Sequence, residues 1–132
     1  MKKIPGRYRD LLADEKRALL YLATTMEDGT PQVTPVWFNV EGEYLLINSA
    51  KGRVKDRNMR RQPYVALCIQ DPENPYRYIQ IRGRVVEITE TGAEEHIIQL
   101  AFKYTGQARF QKNDPAEIRV KYSIIPDSID EH

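Results

Sequence analysis

The feature that most restricts this chain is how little sequence separates its apolar runs. Asp28-Gly29 closes the run Ala18-Leu19-Leu20-Tyr21-Leu22-Ala23-Thr24-Thr25, Glu41-Gly42-Glu43 separates 32–40 from 44–48, and Asp71-Pro72-Glu73-Asn74-Pro75 separates 64–70 from 76–89. Gaps of this length and composition turn one strand back on the next, whereas a parallel neighbour needs a crossover of about a dozen residues or more. The chain is therefore expected to be mainly β and antiparallel.

In the second run Thr34, Val36, Phe38 and Val40 alternate with Val33, Pro35, Trp37 and Asn39. Pro35 cannot donate to a ladder, so it belongs at an edge, at a bulge or where the backbone is left open. Gly83, inside the long fifth run, marks a bulge or a close backbone approach. A sixth run at 117–125 follows a polar connection at 107–115. Helices are expected at 5–12, at one end of the barrel, and at 54–61, stopped by Pro63. A third opens at Thr91, with Glu94 at capping-box spacing, and carries the stripe Ala93, Ile97, Leu100, Ala101 and Tyr104 to a stop at Gly106. Six antiparallel strands with one helix inserted before the last describe a small barrel, and residues 1–132 form a single domain. Its outer sheet face is available for a second copy, so a homodimer is expected.

Composition excludes several classes. A net charge of +1 gives no bulk attraction to nucleic acid, which is not expected as a partner. The lone cysteine, Cys68, has no disulfide partner and reads as a buried thiol in a reducing compartment. No signal peptide follows the basic start, and nothing approaches the roughly 20 apolar residues of a membrane span, so a cytoplasmic protein without a membrane partner is expected. There is no metal-ligand spacing, no P-loop and no G-x-G-x-x-G. The two histidines are His96, read as an exposed helix residue, and the terminal His132. No catalytic residue is assigned, and any reactivity must be borrowed from a cofactor.

Asn48-Ser49-Ala50-Lys51-Gly52-Arg53-Val54-Lys55-Asp56-Arg57-Asn58 is the place to hold one. It ends an apolar run, opens a helix and sets Lys51, Arg53, Lys55 and Arg57 within seven residues. Free N–H groups at a helix start, the positive end of its dipole and convergent cations favour a bound phosphate.

Pro35-Val36-Trp37-Phe38, the stretch Lys51 to Asn58, Arg82-Gly83-Arg84-Val85 and Lys103-Tyr104-Thr105-Gly106 together resemble the pyridoxamine 5′-phosphate oxidase-like, FMN-binding split-barrel superfamily. Within it the likeness is greatest to the flavin/deazaflavin oxidoreductases that use coenzyme F-420. The resemblance implies a homodimeric split barrel with cofactor sites at the dimer interface. Ser49, Arg53 and Lys55 would hold the phosphate, with Asn48, Lys51 and Asn58 in the same stretch. Pro35, Val36 and Trp37 would flank the ring, and Arg77 and Tyr78 would reach it from the other subunit.

The implied activity is hydride transfer to an unsaturated small molecule from F-420, an 8-hydroxy-5-deazaflavin. An FMN oxidase or reductase of the pyridoxamine 5′-phosphate oxidase type and a non-enzymatic flavin or deazaflavin carrier are the alternatives. Lys51, Arg53, Lys55, Arg57, Arg60 and Arg61 form a row suited to a polyanionic tail. Two departures weaken the vitamin-B6 reading: Val54 stands where a second basic residue is usual, and the C-terminus lacks a basic, Trp-containing segment. Competing readings make Arg60 and Arg61 a solvated helix end, Trp37 core packing, Ser49 a plain helix N-cap, and Tyr76, Arg77 and Tyr78 cross-strand pairs.

Overall fold

A computed structural model of the chain describes residues 3–131; His132 and the first two residues lie outside them. The six expected strand runs are present, and the second is interrupted at Trp37, so the sheet has seven strands: β1 (Leu20–Thr25), β2 (Pro31–Val36), β3 (Phe38–Glu41), β4 (Tyr44–Ala50), β5 (Tyr64–Asp71), β6 (Asn74–Thr89) and β7 (Arg119–Glu131). Every ladder is antiparallel, in the order β2-β1-β5-β6-β7-β4-β3. The two edge strands, β2 and β3, are consecutive in sequence and joined only by Trp37. Such a sheet must curl until its edges meet, which is the split-barrel architecture. Pro35 sits on edge strand β2, opposite Tyr21 of β1, a position where a missing donor is tolerated.

The break at Trp37 leaves backbone groups to satisfy, and the inserted helix α2 (Ala93–Thr105) supplies partners. The Tyr104 hydroxyl accepts from Phe38 N at 3.3 Å and donates to the Ala18 carbonyl at 2.6 Å. The buried Lys103 ammonium donates to the Phe38 carbonyl at 2.6 Å and lies 4.2 Å from the Phe38 ring centroid. Burial pushes the Lys103 pKa down, against the nearby Asp14 carboxylate.

Period-two alternation fills the barrel: Val65, Leu67 and Ile69 of β5 face Leu20 and Leu22 of β1, with Phe38, Ile47, Ile79, Tyr122 and Ile124 in the same core. Cys68 corrects its expectation. The alternation that buries Leu67 and Ile69 turns Cys68 outward with Ala66, and the thiol is only half-buried. The first helix is a 3₁₀ turn, Gly6–Leu12, that buries Tyr8 and Leu11. The capping box on α2 is also corrected: the N-cap is Gly92 in the left-handed region, φ 75°, with no side-chain cap, while Thr91 N donates to Thr89 Oγ1. Gly106, φ 80°, ends the helix as expected. Among the described residues no helix is long and apolar enough to cross a membrane.

Gly83 lies where the β6–β7 register shifts, and a Cβ there would stand 2.5 Å from the Ile125 carbonyl oxygen. Backbone oxygen cannot yield as a side chain does. Gly83→Ala is expected to cost about 1–3 kcal/mol, read as a lower urea midpoint with an unchanged denaturant slope; an unchanged midpoint would contradict the close approach.

Candidate functional site

The turn between β4 and helix α1 (Val54–Arg61) is built on one buried carboxylate. Asp56 accepts from Gly52 N at 2.8 Å, from Arg60 Nε at 3.0 and 3.1 Å, and from the buried Tyr122 hydroxyl. Gly52 has φ +91° with open space around it, a conformation that side-chain-bearing residues rarely adopt. Lys51 N donates to the Ile118 carbonyl at 2.8 Å, tying the turn to the approach of β7. Burial and the Asp56 hydrogen bond raise the Tyr122 pKa, so its hydroxyl stays a donor.

Beside this turn opens a cavity of about 460 Å³, within the range of ligand sites. It brings together Pro35, Val36 and Trp37 from the strand break, Asn48 and Ser49 from β4, and Arg53 and Lys55. Trp37 stacks on Tyr104 with ring centroids 5.3 Å apart and planes 7° from parallel. It is packed on one side by Tyr104 and still lines the cavity.

The electrostatics are unbalanced toward an anion. Ser49 is 1% exposed, and its Oγ has no hydrogen-bond partner among the described residues. A buried hydroxyl in that state costs about 1–3 kcal/mol. Lys55 is half-buried with its pKa pushed down, first by desolvation and then by the Arg53 and Arg119 guanidiniums. The N-cap of α1 is Arg53, not Ser49, so the plain-cap reading of Ser49 is corrected. Residues fit for a phosphate are thus present: an orphaned hydroxyl, a lysine crowded by like charge, and a flat aromatic and prolyl shelf.

Arg119 escaped the sequence reading. It is buried at the start of β7, donates to Asn48 Oδ1 at 2.9 Å and Glu117 Oε2 at 3.0 Å, and lies 4.8 Å from the Phe110 ring centroid. Its place between two β-branched apolar residues, Ile118 and Val120, was the available signal, blurred by Lys121 two positions on. His96 is the other omission. Expected to be exposed, it is buried on α2 between Asn39 and Asn48, because position 96 shares the inward face with Ala93 and Leu100.

Other expected residues do not reach this cavity within one chain. Lys51 lines a neighbouring opening, which shares Arg53, and pairs with Glu90 at 3.0 Å. Asn58 is buried under α1, donating to Thr24 Oγ1 and Met26 Sδ. Arg60 returns to Asp56, and Arg61 bonds the Thr25 carbonyl and Asn58. Arg77 is clamped by Asp10 and Asp71 over the Tyr8 ring, which raises its pKa. Tyr78 lies next to it on β6.

Residues 4–123 match the pyridoxamine 5′-phosphate oxidase family. The chain belongs to that family. A solved structure named "F420 Reductase" is 34% identical and superposes with a TM-score of 0.83, covering 98% of this chain and 100% of that one. A conserved hypothetical protein of Mycobacterium tuberculosis, 21% identical, gives a TM-score of 0.73 over 96% of this chain and 82% of its own. HupZ of Group A Streptococcus, 19% identical, gives 0.66 over 96% and 91%. These last two share the fold. No curated protein matches the chain significantly in sequence.

The buried histidine predicts an acid-sensitive fold. Desolvation first, then Lys121 and Arg119, lower the His96 pKa from 6.5 to about 4. A depressed folded-state value gives stability that is present above the unfolded pKa and lost as pH falls through the window between the two. Between pH 7 and pH 5 this contribution should shrink by about 2 kcal/mol. Urea unfolding of wild type against His96→Asn checks it: the wild type should show the excess loss, and parallel pH profiles would contradict a neutral buried imidazole.

Proposed function

We propose that the chain is a flavin-type oxidoreductase that seats the deazaflavin coenzyme F-420 beside the β4–α1 turn and delivers hydride to an unsaturated small molecule. The observation that carries the reading is the buried, unpartnered Ser49 hydroxyl beside Arg53, Lys55 and Arg119. A phosphate there would accept from Ser49 and relieve the mutual repulsion of the cations. When bound, the cofactor supplies the hydride chemistry, and the protein supplies grip, orientation and exclusion of water. Trp37, held flat by Tyr104, with Pro35 and Val36, forms the shelf on which a planar ring would be oriented. Ile97 and Leu100 of α2 provide an apolar wall that limits water.

The choice of F-420 rests on the sequence likeness and on the relative named F420 reductase. FMN is the second reading, favoured by the compactness of the phosphate site: Arg60 and Arg61 are turned back into their own chain, so the cationic row does not extend along α1. The contribution proposed for Arg77 and Tyr78 needs a second copy. The outer face of β1, β2, β5 and β6 suits one, with Val33 and Tyr64 about two-thirds exposed beside Ala66 and Cys68.

Lys55→Ala should weaken cofactor binding roughly 10- to 150-fold, the loss of a charge-assisted contact of about 1.5–3 kcal/mol, with an unchanged melting profile. The pH dependence has a defined sign. A bound anion raises the lowered Lys55 pKa, so wild-type affinity is full below the free-state value and falls, by up to about tenfold per pH unit, as pH rises through it. In Lys55→Ala that slope disappears. Fluorescence titrations with F-420 and with FMN across pH measure both and rank the two cofactors. Equal affinity in wild type and variant would overturn the assignment.

A further inference from the structure

Four elements meet behind the cavity wall: Asn39 on β3, Asn48 on β4, Ala93 and His96 on α2, and Arg119 on β7. All five are buried, and two of their contacts admit only one chemistry. The Ala93 carbonyl can only accept, and Arg119 Nε can only donate. Asn48 lies between them, so its Nδ2 faces Ala93 O at 2.9 Å and its Oδ1 faces Arg119 Nε at 2.9 Å. The reversed amide would set oxygen against oxygen and N–H against N–H. The second amide hydrogen then points to His96 Nδ1, 3.1 Å away, which must be an unprotonated acceptor. The ring proton is left on Nε2, donating to Asn39 Oδ1 at 2.7 Å.

We propose that His96 is a positioning residue of the anion cradle: its bare Nδ1 accepts the second amide hydrogen of Asn48 and, together with the Ala93 carbonyl, holds in place the amide whose oxygen grips the Arg119 guanidinium at the cavity wall. The effect extends to a second cation. Arg119 Nη1 donates to Glu117 Oε2 at 3.0 Å, and the other oxygen of Glu117 accepts from Arg53 Nη2 at 3.0 Å. Losing the Asn48 carbonyl as an acceptor would leave Arg119 held only by Glu117 and the Phe110 ring, and would loosen the placement of Arg53 through the shared Glu117. The nearby charges are Arg119 and Lys121 on β7 and Glu117, and both cations together with burial keep the imidazole neutral. The inference rests on the cradle reading above and adds to it a residue that touches no ligand.

The two amide replacements of histidine separate this role from simple packing. Asparagine places its oxygen near the Nδ1 position and keeps an acceptor for Asn48; glutamine places its amide near Nε2 and keeps only the link to Asn39. Inorganic phosphate is titrated while following Trp37, the only tryptophan in the chain and part of the cavity lining. His96→Gln is expected to bind phosphate roughly tenfold more weakly, as for other outer-layer partners of a binding site, and His96→Asn within about twofold of wild type. Equal behaviour of the two variants, at whatever melting temperature, overturns the inference.

Arg119→Gln distinguishes the two levels of the argument. If it weakens phosphate while both His96 variants bind normally, the cradle stands and the role of His96 falls. If wild type binds no phosphate, the cradle falls and takes His96 with it. Should His96→Gln not fold, the imidazole nitrogen shifts of the wild-type protein decide. Nδ1 must show the shift of an unprotonated ring nitrogen, and an Nδ1–H tautomer overturns the inference.

Discussion

The buried Asp56 carboxylate is the interaction on which the candidate site depends. One side chain joins the left-handed Gly52 turn, the last turn of α1 through Arg60, and the barrel wall through Tyr122. Its negative charge also sits at the start of α1, where the helix dipole favours it. Without that anchor Arg53 and Lys55 would be surface cations on a mobile turn. With it Lys55 is half-buried and set beside Arg53, and desolvation first, then the like charges of Arg53 and Arg119, lower its pKa. Asp56 is buried while Arg60 is partly exposed, so the hydrogen bonds from Gly52 and Tyr122 carry most of the anchoring.

The second constraint is topological. Because β2 and β3 are opposite edges of one sheet and neighbours in sequence, the barrel closes through Trp37. Beside such a closure the backbone of edge residue Phe38 faces away from any further strand, and α2 partners it with Tyr104 and Lys103. The same Tyr104 ring then holds Trp37 flat. Closure of the barrel and the flat placement of Trp37 at the cavity are one arrangement, made by the inserted helix.

Much of this was legible beforehand. Alternation and turn chemistry are local, so the strand runs, α1 at Val54–Arg61 and the role of Gly83 could be read directly from residue order. That Asn48, Ser49, Arg53 and Lys55 would lie near one another was legible because they fall within eight residues of sequence. What escaped was assembled from distant parts of the chain. Arg119 enters the cavity from a strand about 70 positions beyond Asn48, and no local pattern announces that meeting. His96 was misjudged because a polar residue at a core-facing helical position looks exposed until its partners, Asn39 and Asn48, are known. Cys68 failed in the opposite sense: its neighbours are apolar, yet the strand period turns it outward. The cap at Gly92 was hidden by a Thr-x-x-Glu spacing that the chain does not use.

The central claim is that an anionic group completes the cluster of Ser49, Arg53, Lys55 and Arg119 while its ring lies along Pro35, Val36 and Trp37. A crystal structure with F-420 bound tests it most directly. The account predicts phosphate oxygens about 2.5–3.2 Å from Ser49 Oγ and Lys55 Nζ, with the ring against Trp37. A cofactor whose phosphate lies elsewhere, leaving the Ser49 hydroxyl without a partner, would contradict it.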